Sequence, residues 1–200
     1  MRRSVHATRD EQMRRLPGDD LIPDPIDSLT HAITIQSSTH EVWPWIAQMG
    51  AGNRSGWYSY DFLDNGRYPS ASHIVPELQN LKLGMVFPAL PGITDGFTLV
   101  SFEPERFLVL AWKAPDGAVL VTWTFVLEPF GDSSTRLITR ARGRPGYQFH
   151  GLPSPIAKHI IRVVHFIMER KQLLGIAGER RCSHMAQIPP SRAVKVKTYT

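Results

Sequence analysis

The chain lacks the features that mark secreted, membrane-spanning or metal-binding proteins. Cys182 is the one cysteine among 200 residues, so no internal disulfide can form, which predicts a cytoplasmic protein in a reducing compartment. No segment approaches the ~18 consecutive apolar residues of a membrane span, and no apolar stretch of a secretory signal follows the arginine-rich start. His159 and His165 lack the i, i+4 spacing of a helical metal pair, so we expect no metal and no other cofactor.

The common sequence signatures of catalysis and nucleotide binding are also missing. There is no G-x-S-x-G nucleophile elbow, no phosphate-binding Walker loop and no G-x-G-x-x-G after a strand. Gly50 and Gly52 follow a helical pattern rather than a strand, which is unfavourable for a nucleotide site. Nothing pairs a nucleophile with a base. Whether the chain is an enzyme therefore stays open.

The charge of the chain is mildly basic and dispersed. The formal net charge is +5, which permits weak attraction to anionic lipid or nucleic acid. Because the basic residues are spread over the N-terminal segment, a strand and the last helix, they form no recognition motif, and we expect no specific nucleic-acid partner. Peripheral contact with a membrane stays open, and the sequence indicates no oligomeric state.

Residue patterns divide the chain into residues 1–28, 29–178 and 179–200. The first part is rich in proline and is predicted to be an extended, flexible segment, and the last has no sustained pattern and is predicted to be a flexible tail. The 42% hydrophobic content suffices for one globular core in the middle part. Alternating apolar residues predict strands at His31–Gln36, Met85–Ala89, Phe97–Glu103, Phe107–Lys113, Ala118–Glu128 and Thr135–Arg142. The short loops between the later strands predict an antiparallel meander.

Three helices are predicted around these strands. The first begins at a capping box formed by Ser38 and Glu41 and contains Pro44, which should kink or shorten it. The second is a short helix, Ser59–Asn65, capped by Ser59, and an irregular connection at 67–84 follows it. The third, Pro155–Ile176, is long and amphipathic and is predicted to end at Gly175 or Gly178. Its predicted apolar face is Ile160, Ile161, Val164, Ile167 and Met168, and its predicted polar side is Lys158, Arg162, Glu169 and Arg170.

The last two predicted strands each have two different faces. One face of the first is predicted to be buried and the other to be wetter. In the second, the arginine face is predicted to meet solvent. The residues concerned are Val119, Val121, Trp123, Phe125 and Leu127 for the buried face, Thr122, Thr124 and Glu128 for the wetter face, and Arg136, Arg140 and Arg142 for the arginine face. An apolar sheet face needs a cover, and the last helix is the long element available for it.

The chain resembles the START-like, birch-pollen-allergen-like superfamily, also called SRPBCC or polyketide cyclase/dehydrase-like. The resemblance runs from about Thr30 to Ile176 and depends on the order strand, two small helices, strand meander, long helix. It also depends on the amino-acid sequences of four segments: Glu41-Val42-Trp43-Pro44-Trp45, Gln48-Met49-Gly50, Gly56-Trp57-Tyr58-Ser59-Tyr60-Asp61 and Met168-Glu169-Arg170-Lys171-Gln172-Leu173-Leu174-Gly175-Ile176. The resemblance implies an α+β helix-grip fold, in which a curved antiparallel sheet wraps around a long C-terminal helix and encloses a cavity. The superfamily includes lipid carriers, hormone receptors, cyclases and chaperone activators, so it implies no single function.

Aromatic and apolar side chains are the candidate wall of this cavity, with core packing as their alternative role. The predicted ligand-binding residues are Trp45, Trp57, Tyr58, Tyr60, Trp112, Trp123, Phe125, Val164 and Met168. Asp61, Tyr60 and His165 are the candidates for acid–base catalysis. A local cap or ion pair is the alternative for Asp61, and a boundary position on the helix is the alternative for His165.

Three functions are compatible with these residues. The first is binding or carriage of a hydrophobic small molecule, lipid- or polyketide-like, with residues 67–84 gating entry. The second is an enzyme of the cyclase or dehydratase type acting on an apolar substrate in the same cavity. The third is a protein-interaction module whose cavity is filled by its own side chains.

Overall fold

The fold was analysed in a computed structural model that describes residues 5–93, 95–144 and 166–178. The described residues form one antiparallel sheet with helices on it, an α+β architecture. The strands are β1 (Asp27–Ile35), β2 (Val86–Pro88), β3 (Gly96–Glu103), β4 (Phe107–Lys113), β5 (Val119–Phe130) and β6 (Ser134–Gly143). The helices are α1 (Arg9–Met13), α2 (Thr39–Ala47), α3 (Asp61–Asp64) and α4 (166–178).

The sheet has the strand order β1-β6-β5-β4-β3-β2, and each neighbouring pair is antiparallel. Strands β2 to β6 therefore form the predicted meander, and β1 adds to its end beside β6. The register shifts between Leu99 and Ser101 and between Trp112 and Lys113. Such irregularities bend a strand and increase its twist, as expected for a curved sheet. The predicted fold class is confirmed.

Helix α2 begins as the sequence predicts. The Ser38 hydroxyl accepts a hydrogen bond from the Glu41 backbone N–H (3.3 Å), and the Glu41 carboxylate accepts one from the Ser38 backbone N–H (3.0 Å). These reciprocal bonds satisfy donors that the first turn of a helix leaves without intrahelical partners. Pro44 lies within the helix, which ends three residues later at Ala47.

Helix α3 is a single turn and is not capped by Ser59. Its N-cap is Tyr60, which makes no side-chain capping bond. The Ser59 hydroxyl instead donates to the Met168 carbonyl oxygen of α4 (3.2 Å). The capping prediction was therefore wrong, because Ser59 connects this loop to α4 rather than to the helix that follows it.

The core lies between α2, α4 and the inner face of the sheet. The strand residues of this core alternate with outward-facing residues, as expected for a sheet with one apolar face. The fully buried strand residues of the inner cluster are Ile33, Ile35, Phe87, Leu99, Leu108, Leu110, Phe125 and Leu137. Helix α2 covers them with Val42, Trp45 and Ile46.

The face of α4 that packs on this core is not the apolar face that the sequence predicts. Ile167, predicted to be buried, is exposed, and Glu169, predicted to be polar surface, is only 2% exposed. The buried positions are Glu169, Gln172, Leu173, Ile176 and Ala177, which follow helical spacing. The helix also continues past Gly175 to residue 178. A Cβ at 175 would overlap the Tyr58 carbonyl oxygen, so Gly175 is a packing position and not a stop.

The outer face of the sheet is covered by residues 5–26, here called the N-terminal strap. These residues were predicted to be extended, but they contain α1 and a short 3₁₀ turn at Asp19–Leu21. Leu16 of the strap packs on Ala32, Val126 and Ile138 of the sheet. Thr122 and Thr124, predicted to be wetter, are buried as a result.

The arginines of β6 bind this strap and do not form a solvent face. Arg140 is 3% exposed, and its Nη1 atom lies 2.6 Å from an oxygen of Asp19. Its guanidinium also donates to carbonyl oxygens at the end of α1, where the helix dipole favours a cation. Arg142 pairs with the same aspartate (2.9 Å), and Arg136 pairs with Glu11 through Nε and Oε1 (2.7 Å). The prediction of a solvated arginine face was wrong.

Several sequence predictions fall on residues outside the described ranges. They are the start of the last helix, Val164, His165, Cys182 and the tail at 179–200. Within the described residues, no helix is long and apolar enough to cross a membrane. These same residues contain no cluster of three or more His, Cys, Asp or Glu side chains suited to a metal ion.

Candidate functional site

An aromatic cluster covers one end of the inner sheet face. Trp123 of β5 stacks on Trp57 from the loop before α3, with ring centroids 5.3 Å apart. Phe97 of β3 lies 5.5 Å from both Trp123 and Trp112, and Phe125 lies 5.0 Å from Trp123. Each such pair contributes about 0.5–1.5 kcal/mol beyond the area it buries. The structure therefore brings together four of the predicted ligand-binding residues: Trp57, Trp112, Trp123 and Phe125.

This cluster is buried unevenly. Phe125 is fully buried, whereas Phe97, Trp112 and Trp123 are only half-buried although they lie on the inner face. Trp112 lies two residues further along β4 than Leu110, opposite Val121 of β5. Aromatic surface therefore remains accessible on the concave side of the sheet, where an apolar molecule gains most by burial.

Trp45 and Tyr58 form a second, fully buried aromatic pair. Their rings meet edge to face at 5.8 Å, and the Tyr58 hydroxyl accepts a hydrogen bond from Gln48 Nε2 (2.5 Å). The Gln48 side-chain oxygen also accepts bonds from the Val75 backbone N–H (2.9 Å) and from Gln79. These two predicted ligand-binding residues thus lie in a packed region that holds the middle of the 67–84 connection.

A buried polar group lies on α4 at the centre of the inner face. Burial raises the pKa of the Glu169 carboxyl, while Thr139, His31 and Trp123 act on it in the opposite direction. His31 on β1 is opposite Thr139 on β6 in the sheet register, so two strands and one helix supply the surroundings of the carboxyl. The raised pKa favours the neutral acid, which donates a hydrogen bond.

Two further polar atoms are buried beside this carboxyl. Gln172 is one turn along α4 from Glu169 on the same face and is 1% exposed. Its side-chain oxygen has no hydrogen-bond partner among the described residues, whereas the Trp123 indole N–H is hydrogen-bonded to the Glu169 carboxyl. A polar atom without a partner in an apolar surrounding costs about 1–3 kcal/mol. The inner face therefore contains one buried amide oxygen, on Gln172, that has no partner among the described residues.

The predicted catalytic residues of the α3 region have other partners. The Asp61 carboxylate accepts hydrogen bonds from the Ser70 backbone N–H (2.9 Å) and hydroxyl (2.5 Å), which is the local structural role. Tyr60 is 39% exposed and shares no ring contact with the aromatic cluster among the described contacts. Asp64 is buried, and burial, with the nearby Asp61 charge, raises its pKa to about 6. Met168 is half-buried on α4.

Two surface grooves flank the N-terminal strap. One of about 670 Å³ is lined by Arg14, Leu16, Phe107 and Glu128 among others, and one of about 590 Å³ is lined by Asp19, Arg140 and Arg142 among others. Neither includes a predicted ligand-binding residue. Several of their charged groups are engaged in ion pairs, such as Arg14–Glu128 (2.8 Å). We therefore assign the candidate site to the aromatic inner face.

The sequence analysis missed Glu169, Gln172, His31 and Thr139 as members of the site. None of these residues was predicted to be buried, because a single polar residue in an amphipathic element is assigned to the surface by default. One signal was present in the sequence. Leu173, Ile176 and Ala177 define an apolar face on which Glu169 and Gln172 also fall.

Comparison with known proteins concerns the fold. No family model matches the chain, and no curated protein matches it. Among solved structures it is similar to CalU16 from Micromonospora echinospora, at 16% identity over 80% of this chain and 82% of that chain, with a TM-score of 0.44. It is also similar to the Polyketide_cyc-like protein Cgl2372 from Corynebacterium glutamicum, at 15% identity over 85% and 100% of the two chains and a TM-score of 0.41. Protein MLL2253 from Mesorhizobium loti gives 14% identity over 75% and 96%, with a TM-score of 0.43.

Proposed function

We propose that the protein binds a hydrophobic small molecule, lipid- or polyketide-like, between the inner face of the sheet and α4. The observation that carries the proposal is the half-buried state of Phe97, Trp112 and Trp123 on the concave face. Covering a further 100 Å² or so of this surface would contribute about 2.5 kcal/mol before the costs of association are subtracted. The gating of entry by residues 67–84 stays a prediction of the sequence, and we propose the Trp112 end, where the aromatic rings are half-buried, as a further place of entry.

Tryptophan fluorescence of the full chain tests this proposal. Titration with palmitic acid, cholesterol and an anthraquinone should give saturable quenching with at least one of these probes. Trp112→Phe should remove a large share of that signal, because this ring lies at the proposed entry. Trp43→Phe is the matched control: its ring is buried against Phe102, and the signal should persist without it. No saturable signal with any probe, together with a ligand-free native mass spectrum, would refute the function.

A second candidate function is acid–base catalysis of the cyclase or dehydratase type on the bound molecule. It is favoured by the buried Glu169 carboxyl, with its raised pKa and His31 nearby. In this function Glu169, rather than Asp61 or Tyr60, would donate a proton to a substrate oxygen. Incubation with poly-β-ketone thioesters should then yield cyclised product that Glu169→Gln abolishes without loss of binding. Equal product from both proteins would exclude Glu169 from the chemistry.

The remaining hypotheses stay predictions of the sequence. These are the role of His165, the interaction module with a filled interior, contact with a membrane surface and a cytoplasmic location. The half-buried tryptophans favour a small-molecule site over the interaction module, since a filled interior would bury them.

A further inference from the structure

We propose that the protein docks on the surface of an anionic lipid bilayer through exposed apolar side chains of two loops, the segment around α3 and the turn between β2 and β3. The inference gives a specific surface to the membrane contact that the sequence leaves open. It goes beyond the proposed binding of a small molecule and does not depend on it. The side chains concerned, here called the loop patch, are Phe62, Leu63, Tyr68, Leu90 and Ile93.

The side chains of the loop patch are large, apolar and exposed to water. Tyr68 is 71% exposed, Phe62 65% and Leu63 57%, and Leu90 and Ile93 are 44% and 42% exposed. A single exposed apolar residue is ordinary on a protein surface. Several of them in one contiguous patch mark a surface that binds another protein or a membrane.

A close contact between the two loops makes the patch contiguous. A Cβ built on Gly66 would lie 3.2 Å from the ring of Pro91 and 3.7 Å from the ring of Tyr68. The β2–β3 turn therefore lies directly against the loop that follows α3. Because Leu90 and Ile93 flank Pro91 in this turn, both loops present their apolar side chains in the same region of the surface.

Positively charged side chains border the loop patch. Arg67 is exposed, and its guanidinium carbon lies 5.3 Å from the centre of the Phe62 ring. Lys171 is exposed on α4, between the two positions of that helix that contact the loop before α3. Cations beside apolar side chains are the combination that binds anionic membranes, since the lipid headgroups attract the charge while the apolar groups insert.

Most of the negative charge of these loops is held inside the protein. Asp64 is only 6% exposed, and the Asp61 carboxylate accepts hydrogen bonds from the backbone N–H and the hydroxyl of Ser70. In the described part of the two loops, Asp95 is the exposed carboxylate, and it lies at the base of the β2–β3 turn, beside β3. The charge presented around the patch therefore complements an anionic surface.

The size of the loop patch favours a bilayer over a second copy of the chain. Since an aromatic side chain can bury about 150–250 Å², the exposed parts of the five side chains amount to roughly 500 Å², below the ~800 Å² that each partner buries in a stable protein interface. Insertion into a bilayer has no such minimum, because affinity grows with the inserted apolar area and with the attraction of charge. Tyr68 also suits the boundary between water and lipid, where one end of its ring stays hydrated.

Co-sedimentation of the full chain with vesicles of phosphatidylcholine, with and without phosphatidylglycerol, tests the proposal. We expect tighter binding to the vesicles that contain phosphatidylglycerol. Phe62→Ser and Tyr68→Ser should each weaken binding to both kinds of vesicle by about 10-fold, because less apolar area inserts. Arg67→Gln should weaken binding to the anionic vesicles by about 5-fold and change binding to the neutral ones little. The matched control is Phe130→Ser: this ring is 56% exposed at the end of β5, outside the patch, and binding should persist without it.

The outcomes that overturn the proposal are distinct from those that refute the small-molecule site. Failure to bind either vesicle, equal binding to both kinds, or equal losses in Phe62→Ser and Phe130→Ser would each overturn it. A dimer in sedimentation velocity that Phe62→Ser disperses, in a protein that binds no vesicle, would assign the loop patch to a second copy instead. Quenching of tryptophan fluorescence by small molecules should be the same in Phe62→Ser as in wild type, so it reports on the ligand site alone.

Discussion

The close approach of α4 to the Tyr58 loop predicts opposite effects for two glycine-to-alanine substitutions. In Gly175→Ala, the new methyl group would overlap the Tyr58 carbonyl oxygen and lie 3.1 Å from the Tyr58 Cβ. In Gly178→Ala, the methyl group would meet no atom within 4 Å. Both glycines are helical, so the pair differs mainly in packing.

The magnitudes follow from two competing terms. Alanine stabilises a helical position relative to glycine by up to about 1 kcal/mol. The overlap at 175 involves a backbone atom, which cannot rotate away, so α4 or the loop must shift, at a cost of about 1–3 kcal/mol typical of overpacking. We therefore expect Gly175→Ala to lose about 1–2 kcal/mol of unfolding free energy, and Gly178→Ala to gain up to about 0.5 kcal/mol because it lies near the end of the described helix.

Urea denaturation monitored by tryptophan fluorescence measures both changes. The shift of α4 should also displace Glu169 and Gln172. Gly175→Ala should therefore weaken binding of whichever compound quenches the tryptophan fluorescence of the wild type, whereas Gly178→Ala should leave that binding unchanged. If Gly175→Ala is as stable as wild type or more stable, the close contact with Tyr58 does not exist in solution. Equal effects of the two substitutions would lead to the same conclusion.

Three further predictions concern other parts of the fold. Glu11→Gln should destabilise the protein by about 2 kcal/mol, because it leaves a part-buried arginine unpaired; the more exposed Glu128→Gln should cost under about 1 kcal/mol. The hydrogen bond to Arg136 lowers the pKa of Glu11 to about 2, so its contribution is present above the usual value of 4.5 and is lost toward pH 2, and the urea midpoints of wild type and Glu11→Gln should converge over that range. Asp64 behaves in the opposite way: its pKa is raised from the usual 3.8 to about 6, so its contribution to stability should fall as the pH rises from about 3.8 to about 6 and stay level above that. An unchanged pH profile in Asp64→Asn would contradict this assignment. Gln48→Leu should speed hydrogen exchange in the 67–84 connection, with no change expected at β5.

The parts of the fold that the sequence predicts are those encoded by local patterns. Alternation of apolar residues located Phe107–Lys113 at the observed bounds and the other strands to within about one to four residues. The capping box at Ser38 was likewise confirmed, because both of its partners lie within one turn. Short loops between successive strands leave few alternatives to a meander.

The parts that were missed depend on contacts between distant residues. Arg140 pairs with Asp19, 121 positions away, and nothing in the alternation of β6 distinguishes an arginine that will be covered from one that will be solvated. The strap that covers it contains too many prolines and too short a helix for a periodic pattern. Glu169 was misplaced for a related reason: its burial is set by the position of α4 on the sheet, whereas the sequence shows only that it is polar.

The N-terminal strap makes the protein a three-layer structure, with the sheet in the middle. A polypeptide that begins at residue 29, where the sequence analysis places the start of the globular part, would keep the sheet and its inner helices. It would also present Val126, Ile138 and an unpaired Arg140 to water along two adjacent strands. A fragment that begins at residue 29 should therefore aggregate through this exposed apolar surface. Restoring residues 5–26 should prevent the aggregation, without any substitution on the surface.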